Sequence, residues 1–253
     1  MKLNDIHAVI TGGGSGIGAA IAHKLAGDGA RITLVGRRRE ALETTASTLS
    51  DAFIAPADVT DRTAVDAAFD AARRAHGPIG ILVNNAGIAP SAPFVRTSLE
   101  SWRSAMAVNL DALFHCCQAA LADLLAAPAG RIVTIASTAG VKGYAYTAPY
   151  VASKHGAIGL MRAMAAEFAS TGLTANAVCP GFTDTDIVAA AIGNIQAKTG
   201  RSAEEALAEL TRFNPQRRLI DPEEVADTVH WLCQPGARSM TGQAVMVAGG
   251  EVM

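Results

Sequence analysis

Residues 8–18 read Ala8-Val-Ile-Thr-Gly-Gly-Gly-Ser-Gly-Ile-Gly18. A short β-branched run, Ala8–Thr11, enters a glycine cluster, and the cluster opens a helical stretch, Gly16–Asp28. Gly12, Gly16 and Gly18 give the spacing GxxxGxG between a strand and a helix. At such a junction the chain turns tightly, and a pyrophosphate has to approach backbone N–H groups at the helix N-terminus. Only residues without Cβ permit both. A Walker loop is excluded, because no Lys-Ser/Thr pair follows the glycines. A plain tight turn is the rival reading of the glycines alone.

Outward from this unit, short apolar runs alternate with longer amphipathic ones. Arg31–Val35, Phe53–Pro56, Ile79–Val83, Arg131–Ala136, Thr174–Val178 and Ala244–Val247 read as strands. Glu40–Leu49, Arg62–His76, Glu100–Ala126, Pro149–Ser170 and Pro222–Cys233 read as helices. Continuous apolar strands separated by helices imply a parallel sheet covered on both faces. The expectation is a single-domain α/β Rossmann fold over residues 1–253, doubly wound, with about seven strands flanked by helices. Asp184–Pro215 is less regular, with one helical pattern, Ser202–Leu210, after Gly200. It falls at the carboxyl end of the sheet, where ligands bind in open α/β folds, so segment 182–216 is the expected substrate loop.

Composition narrows the class. Half of the 253 residues are hydrophobic and 17% are charged, enough for a large core. A formal net charge of -2 argues against nucleic acid or an anionic membrane as the main partner. The four cysteines (Cys116, Cys117, Cys179, Cys233) form no CxxC, so neither a disulfide framework nor a metal site is expected. Adjacent Cys116 and Cys117 on a helix diverge by about 100° and chelate poorly, even beside His115. The N-terminus shows no signal-peptide pattern, and no uncharged apolar run reaches the ~18 residues of a membrane span. A cytoplasmic protein is expected.

The end of the second strand bears on the cofactor. NAD-selective sites place an acidic residue there to hold the ribose hydroxyls. Here the chain reads Val35-Gly36-Arg37-Arg38, with a guanidinium where a 2′-phosphate would lie. Arg–phosphate pairing is strong and specific, so NADP(H) is favoured, with Arg37 as the main contact. NAD(H) stays the alternative. Arg38 and Arg39 read more simply as solvating the start of a helix. Asp58-Val59 and Asn84-Asn85-Ala86-Gly87 follow the third and fourth strands, where they can line an adenine and ribose pocket.

The residues able to carry chemistry lie further on. Ser137 follows the fifth strand; Tyr150 comes next, and Lys154 stands four residues after it. Pro149 suits a helix start, and an i,i+4 spacing puts Tyr150 and Lys154 on one helical face. A phenol titrates near pH 10, too high for easy proton exchange at neutrality. A nearby ammonium is expected to lower that pKa. Ser137 can hold a substrate oxygen beside the phenol. Tyr144 and Tyr146 are close rivals, but neither has a lysine at +4, and Lys142 precedes all three tyrosines. His155 faces elsewhere on the helix. Met161 and Met164 suit packing.

These pieces together resemble the short-chain dehydrogenase/reductase family, nearly end to end. The residues that carry the resemblance are TGGGSGIG (11–18), DV (58–59), NNAG (84–87), Asn109 in MAVNLDA, Ser137, YVASK (150–154) and CPGFTDT (179–185). The resemblance implies a seven-stranded Rossmann sheet and a catalytic tetrad of Asn109, Ser137, Tyr150 and Lys154. Asn109 would position a water that relays protons from Lys154. Cofactor contacts are implied at Gly12, Gly14, Ser15, Gly16, Ile17, Gly18, Arg37, Arg38, Asp58, Val59, Asn85, Ala86, Gly87, Tyr150 and Lys154. Pro180, Gly181, Thr183 and Thr185 would meet the nicotinamide end. Ser15 stands where strongly NADP-preferring members often carry a basic residue.

The expected reaction interconverts a ketone and a secondary alcohol by hydride transfer, with Tyr150 as acid or base. Asp184–Pro215 and its continuation FNPQRRLIDPEEVA resemble 3-oxoacyl-thioester reductases, aromatic polyketide ketoreductases and 3-hydroxybutyrate dehydrogenases. The substrate expected is a 3-oxoacyl group on a carrier protein or CoA. Arg96, Arg201, Arg212, Arg217 and Arg218 are candidates for its phosphates; each reads otherwise as a solvated arginine. A secondary-alcohol, polyol or steroid dehydrogenase is the second reading, favoured by apolar Ile187, Val188 and Ile192. A silent cofactor-binding partner subunit is the third. The alanine-rich helices at 100–126 and 149–170 commonly build the dimer contact in this family, whose many tetramers make a homotetramer the expectation.

Overall fold

The computed structural model describes residues 3–252. Seven strands form one parallel sheet: β1 (His7–Thr11), β2 (Arg31–Gly36), β3 (Ala52–Pro56), β4 (Ile79–Asn84), β5 (Arg131–Ile135), β6 (Thr174–Pro180) and β7 (Ala244–Val247). Their order across the sheet is β3-β2-β1-β4-β5-β6-β7. The winding reverses between β1 and β4, so a crevice opens above their carboxyl ends. The helices are α1 (Gly16–Gly27), α2 (Arg39–Ala46), α3 (Arg62–His76), α4 (Leu99–Met106), α5 (Ala112–Ala126), α6 (Ala148–Glu167), α7 (Asp186–Thr199), α8 (Ala203–Thr211) and α9 (Pro222–Cys233).

Alternation along the strands feeds two cores. In β1, Ala8 and Ile10 face one side, with Ile21 and Leu25 of α1 and Val229 and Leu232 of α9. Val9 faces the other, with Phe69 of α3, Leu124 of α5 and Met161 of α6. Local chemistry sets the helix starts. Asp61 caps α3, its carboxylate accepting from the N–H groups of Thr63 (2.9 Å) and Ala64 (3.3 Å). Asp221 and Glu224 form a reciprocal capping box on α9, whose first residue is Pro222.

Two expectations change. The stretch 100–126 is not one regular helix: α4 and α5 are joined by a π turn over Ala107–Asp111. Taken together, Leu99–Ala126 is apolar and long enough to cross a membrane by composition alone. Here Cys116, Ala120 and Leu124 of this stretch lie in the core against the sheet. The irregular segment after β6 also holds a helix, α7, that periodicity did not reveal. Only Val188 of α7 is buried, so its apolar residues do not trace a face.

Candidate active site

The glycine loop folds down onto the loop after β4. Thr11 Oγ1 accepts from the N–H groups of Asn85 (3.0 Å) and Ala86 (3.1 Å). Asn85 Nδ2 donates back to the carbonyls of Thr11 (3.0 Å) and Gly12 (3.1 Å). The glycines are needed for this closeness. Gly12 has φ +65, and a Cβ there would lie 2.9 Å from Asn85 Nδ2. A Cβ on Gly18 would collide with the Gly12 carbonyl oxygen, and Gly16 has φ +51. Gly14 approaches Ala41 as tightly. Ser15 is the N-cap of α1, and its side chain makes no capping bond to the helix. The first N–H groups of α1, with half-buried Ile17 beside them, thus form a cradle that fits a pyrophosphate.

At the end of β2, Arg37 Nη1 stands 3.9 Å from Asp58 Oδ2, and both side chains are exposed. The Asp58 carboxyl is held below its usual range, chiefly by the backbone and hydroxyl of Thr60 and less by Arg37. Val59 beside it is buried. Arg38 does more than solvate the start of α2: its Nη2 donates to Ser15 Oγ at 3.5 Å, so it reaches the glycine loop. Arg38 thus reaches the cradle, while Arg37 stands by Asp58 at the end of β2.

The other bank of the crevice holds the expected tetrad residues. Asn109 lies in the π turn, buried. Its Oδ1 accepts from Ile88 N–H (2.9 Å), and its Nδ2 donates to the Ile88 carbonyl (2.9 Å) and Ser153 Oγ (3.0 Å). Both amide hydrogens and one lone pair of the carbonyl oxygen are engaged, and they fix the backbone after Gly87. A Cβ on Gly87 would lie 3.2 Å from Asn109 Oδ1 and 3.7 Å from Lys154 Nζ. Lys154 is buried, and its ammonium donates to the Ile135 carbonyl at 2.7 Å, 5.8 Å from the Tyr150 ring centroid. Ser137 heads a 3-10 turn, Thr138–Gly140, and its Oγ accepts from Ala139 N–H at 3.1 Å. At the end of β6, Pro180 and then Gly181 lead to Thr183, which donates to the Gly181 carbonyl (3.1 Å), and to Thr185, which donates to the Thr183 carbonyl (3.2 Å). Thr185 abuts Gly16, so this loop meets the glycine cradle across the crevice.

The proton chemistry corrects one expectation. Burial pushes the Tyr150 phenol above its ordinary value, with the Ser137 hydroxyl pulling the other way. Burial also pushes the Lys154 ammonium down to about 8. The helical spacing does put the two residues together, with Lys154 Nζ 5.8 Å from the Tyr150 ring, but desolvation sets the direction of the phenol's shift. In this arrangement the phenol holds its proton.

Sequence reasoning passed over a cluster beside the tetrad. In the sequence Tyr144 reads only as a rival to Tyr150 and Lys142 only as a lysine ahead of the tyrosines, while Glu251 belongs to no motif. Tyr144 Oη takes a hydrogen bond from Thr138 Oγ1 (2.6 Å) and donates to Glu251 Oε1. Its ring meets Phe182 and Phe213 edge-on, at 6.2 and 5.8 Å between centroids. The one available signal was Gly249-Gly250, a sharp turn placed just before an acidic residue.

Comparison with known proteins agrees with this geometry. Residues 6–195 match the short chain dehydrogenase family. A Streptomyces coelicolor protein assigned as a ketoacyl reductase is 38% identical over 249 residues, covering 96% of this chain and 95% of its own. The Vibrio cholerae 3-oxoacyl-[acyl-carrier-protein] reductase FabG is 35% identical over 254 residues, covering both chains fully. A crystal structure of an actinorhodin polyketide ketoreductase variant with NADPH superposes with a TM-score of 0.94, at 37% identity over 97% of each chain.

Proposed function

The chain belongs to the short-chain dehydrogenase family, and we propose that it is an NADP(H)-dependent ketoreductase acting on a 3-oxoacyl thioester. The observation that carries this reading is that Lys154, one helical turn from Tyr150, lies beside Gly87 on the loop whose Asn85 bonds the glycine cradle, while Arg38 reaches Ser15 of that cradle. The relatives named above point the same way. FabG is a 3-oxoacyl-carrier-protein reductase by name, and the actinorhodin enzyme was crystallised with NADPH.

A nicotinamide bound over this crevice supplies the hydride. The chain's own residues do the rest. Ser137 holds the ketone oxygen beside Tyr150. Tyr150, protonated because burial keeps its pKa high, donates its phenolic proton to that oxygen as the alcohol forms. Lys154 compensates the phenolate left behind. Asn109 keeps the 87–88 backbone and Lys154 in register. Pro180, Gly181, Thr183 and Thr185 close the crevice over the reacting end. The exposed faces of α5 and α6, including Phe114 at 47% exposure, suit association of subunits, and a cytoplasmic homotetramer is part of this reading.

Two measurements test it. Tyr150→Phe is expected to lower NADPH-dependent ketone reduction by about 10²- to 10⁴-fold, the worth of a positioned proton donor, while NADPH titration is unchanged. Retained turnover in that variant overturns the assignment. Arg37→Ala combined with Arg38→Ala is expected to weaken NADPH binding by about 10-fold or more and to leave NADH binding nearly unaltered. Equal losses for both cofactors would remove the two arginines from phosphate recognition.

A further inference from the structure

The cluster around Glu251 lies between the Ser137–Tyr150 loop and segment 182–216. It is built deliberately by the sequence. Gly249 (φ +58) packs so closely on Asn214 that a Cβ would strike its Oδ1, and Gly250 (φ +89) follows against Pro215. Only glycines make that turn, and it delivers Glu251 inward. The Glu251 side chain is 0% exposed. Its Oε2 sits near Gly181 with no hydrogen-bond partner, while Oε1 takes both the Tyr144 hydroxyl and the Lys142 ammonium, the latter at 3.1 Å.

A carboxylate shut away from water needs a compensating cation, and Lys142 supplies it. The ammonium is also held over two rings, 4.9 Å from the Tyr144 centroid and 5.5 Å from the Phe213 centroid. A lysine that served only solubility would extend into water. This one is bent down onto aromatic faces beside Thr138, the neighbour of Ser137. An ammonium carries three donors. Glu251 Oε1 pairs with it as an ion pair at 3.1 Å, and among the described residues none accepts a hydrogen bond from it. The side chain is still 33% exposed, so the remaining donors are reachable.

We propose that Lys142 is a specificity-determining residue: Glu251 and Tyr144 hold its ammonium at the wall of the substrate site, where it donates to a second acceptor oxygen of the substrate, the carbonyl two carbons from the reacting ketone. This rests on the ketoreductase reading and names what that site selects. Substrates with a 1,3-dicarbonyl pattern satisfy Ser137 and Tyr150 with one oxygen and Lys142 with the other. A plain ketone of equal length leaves the ammonium without a partner, and a site built around a donor rejects such an analogue.

The test compares ethyl 3-oxobutanoate with 2-heptanone, chains of equal length, with NADPH as reductant. The full-length enzyme is expected to favour the keto ester in kcat/KM, and Lys142→Met is expected to shrink that preference roughly 10- to 100-fold, the worth of a hydrogen bond to a charged group. The loss should fall mainly on KM for the keto ester. Glu251→Gln and Tyr144→Phe should shrink the preference too, and neither should add to Lys142→Met, because all three act through one ammonium. NADPH titration checks that each variant is folded, and Glu251→Gln serves if Lys142→Met is not. Equal losses on both ketones would show a merely structural cluster and overturn the proposal. A wild type that prefers neither ketone also overturns it while leaving the ketoreductase reading intact. A wild type that reduces neither overturns the ketoreductase reading itself.

Discussion

At the scale of single residues, Lys154 answers two opposed demands. Its charge is wanted beside Tyr150, yet burial disfavours that charge and brings its pKa to about 8. Unfolded, a lysine titrates near 10.4. Its folded value is the lower one, so the unfolded chain binds the proton more readily. Stability therefore rises with pH between about 8 and 10.4, and below 8 the buried charge costs on the order of 3 kcal/mol. Lys154→Met, relieved of that charge but losing the bond to the Ile135 carbonyl, is expected to be more stable than wild type by about 2 kcal/mol at pH 7 while nearly inactive. Urea midpoints should converge as pH rises through that window. A variant less stable at pH 7 contradicts the shift. The same side chain should impose an alkaline limb near pH 8 on reduction, seen in kcat/KM against pH. The i,i+4 spacing of Tyr150 and Lys154 was legible in the sequence, because it follows from helix geometry. The direction of the phenol's shift was not, because depth of burial depends on everything packed around the helix.

Elements explain what single positions could not. The alanine-rich stretch 100–126 reads as one helix by composition, but a π turn intervenes, with Ala112 N–H reaching back to Ala107. Such turns occur mostly as local bulges at functional sites. No propensity encodes this one. It exists because Asn109 bonds Ile88 through both its carbonyl and its amide, and residues that far apart meet only in the folded sheet. Asn109→Ala leaves the Ile88 N–H and carbonyl without those partners. It is expected to cost about 3 kcal/mol by urea unfolding and to lower kcat with little change in NADPH affinity. A variant within about 0.5 kcal/mol of wild type would show that the turn does not depend on this side chain. Helix α8, which the structure closes with a Ser202–Glu205 capping box, was visible in sequence as the helical pattern after Gly200. Its neighbour α7 was not, because a helix that buries one residue leaves no periodic trace.

Across the whole molecule, strand number and parallel direction followed from the alternation of apolar runs with helices. The strand order did not, since pairing joins residues far apart and is constrained only by the handedness of crossovers. That order brings the glycine loop after β1 beside the loop after β4, and so creates the crevice. The base of the same sheet is tied by a residue the sequence did not single out. His7, in β1, is 2% exposed and sets its Nδ1 2.8 Å from the Gly77 carbonyl, just before β4. Its Nε2 lies 2.8 Å from Thr33 Oγ1 in β2. The carbonyl can only accept, so Nδ1 carries the proton and Nε2 accepts from the threonine hydroxyl. Burial pushes the imidazole down to about 4, with the Gly77 carbonyl opposing and His76 adding to the depression. A neutral, depressed histidine contributes its stability in full above the unfolded value of about 6.5 and loses it as pH falls through 4. The sheet is therefore expected to lose up to about 3 kcal/mol between pH 6.5 and 4 through this one group. Urea unfolding across that range should show the slope in wild type and a shallower one in His7→Gln. Equal acid sensitivity in the two proteins would place the loss elsewhere.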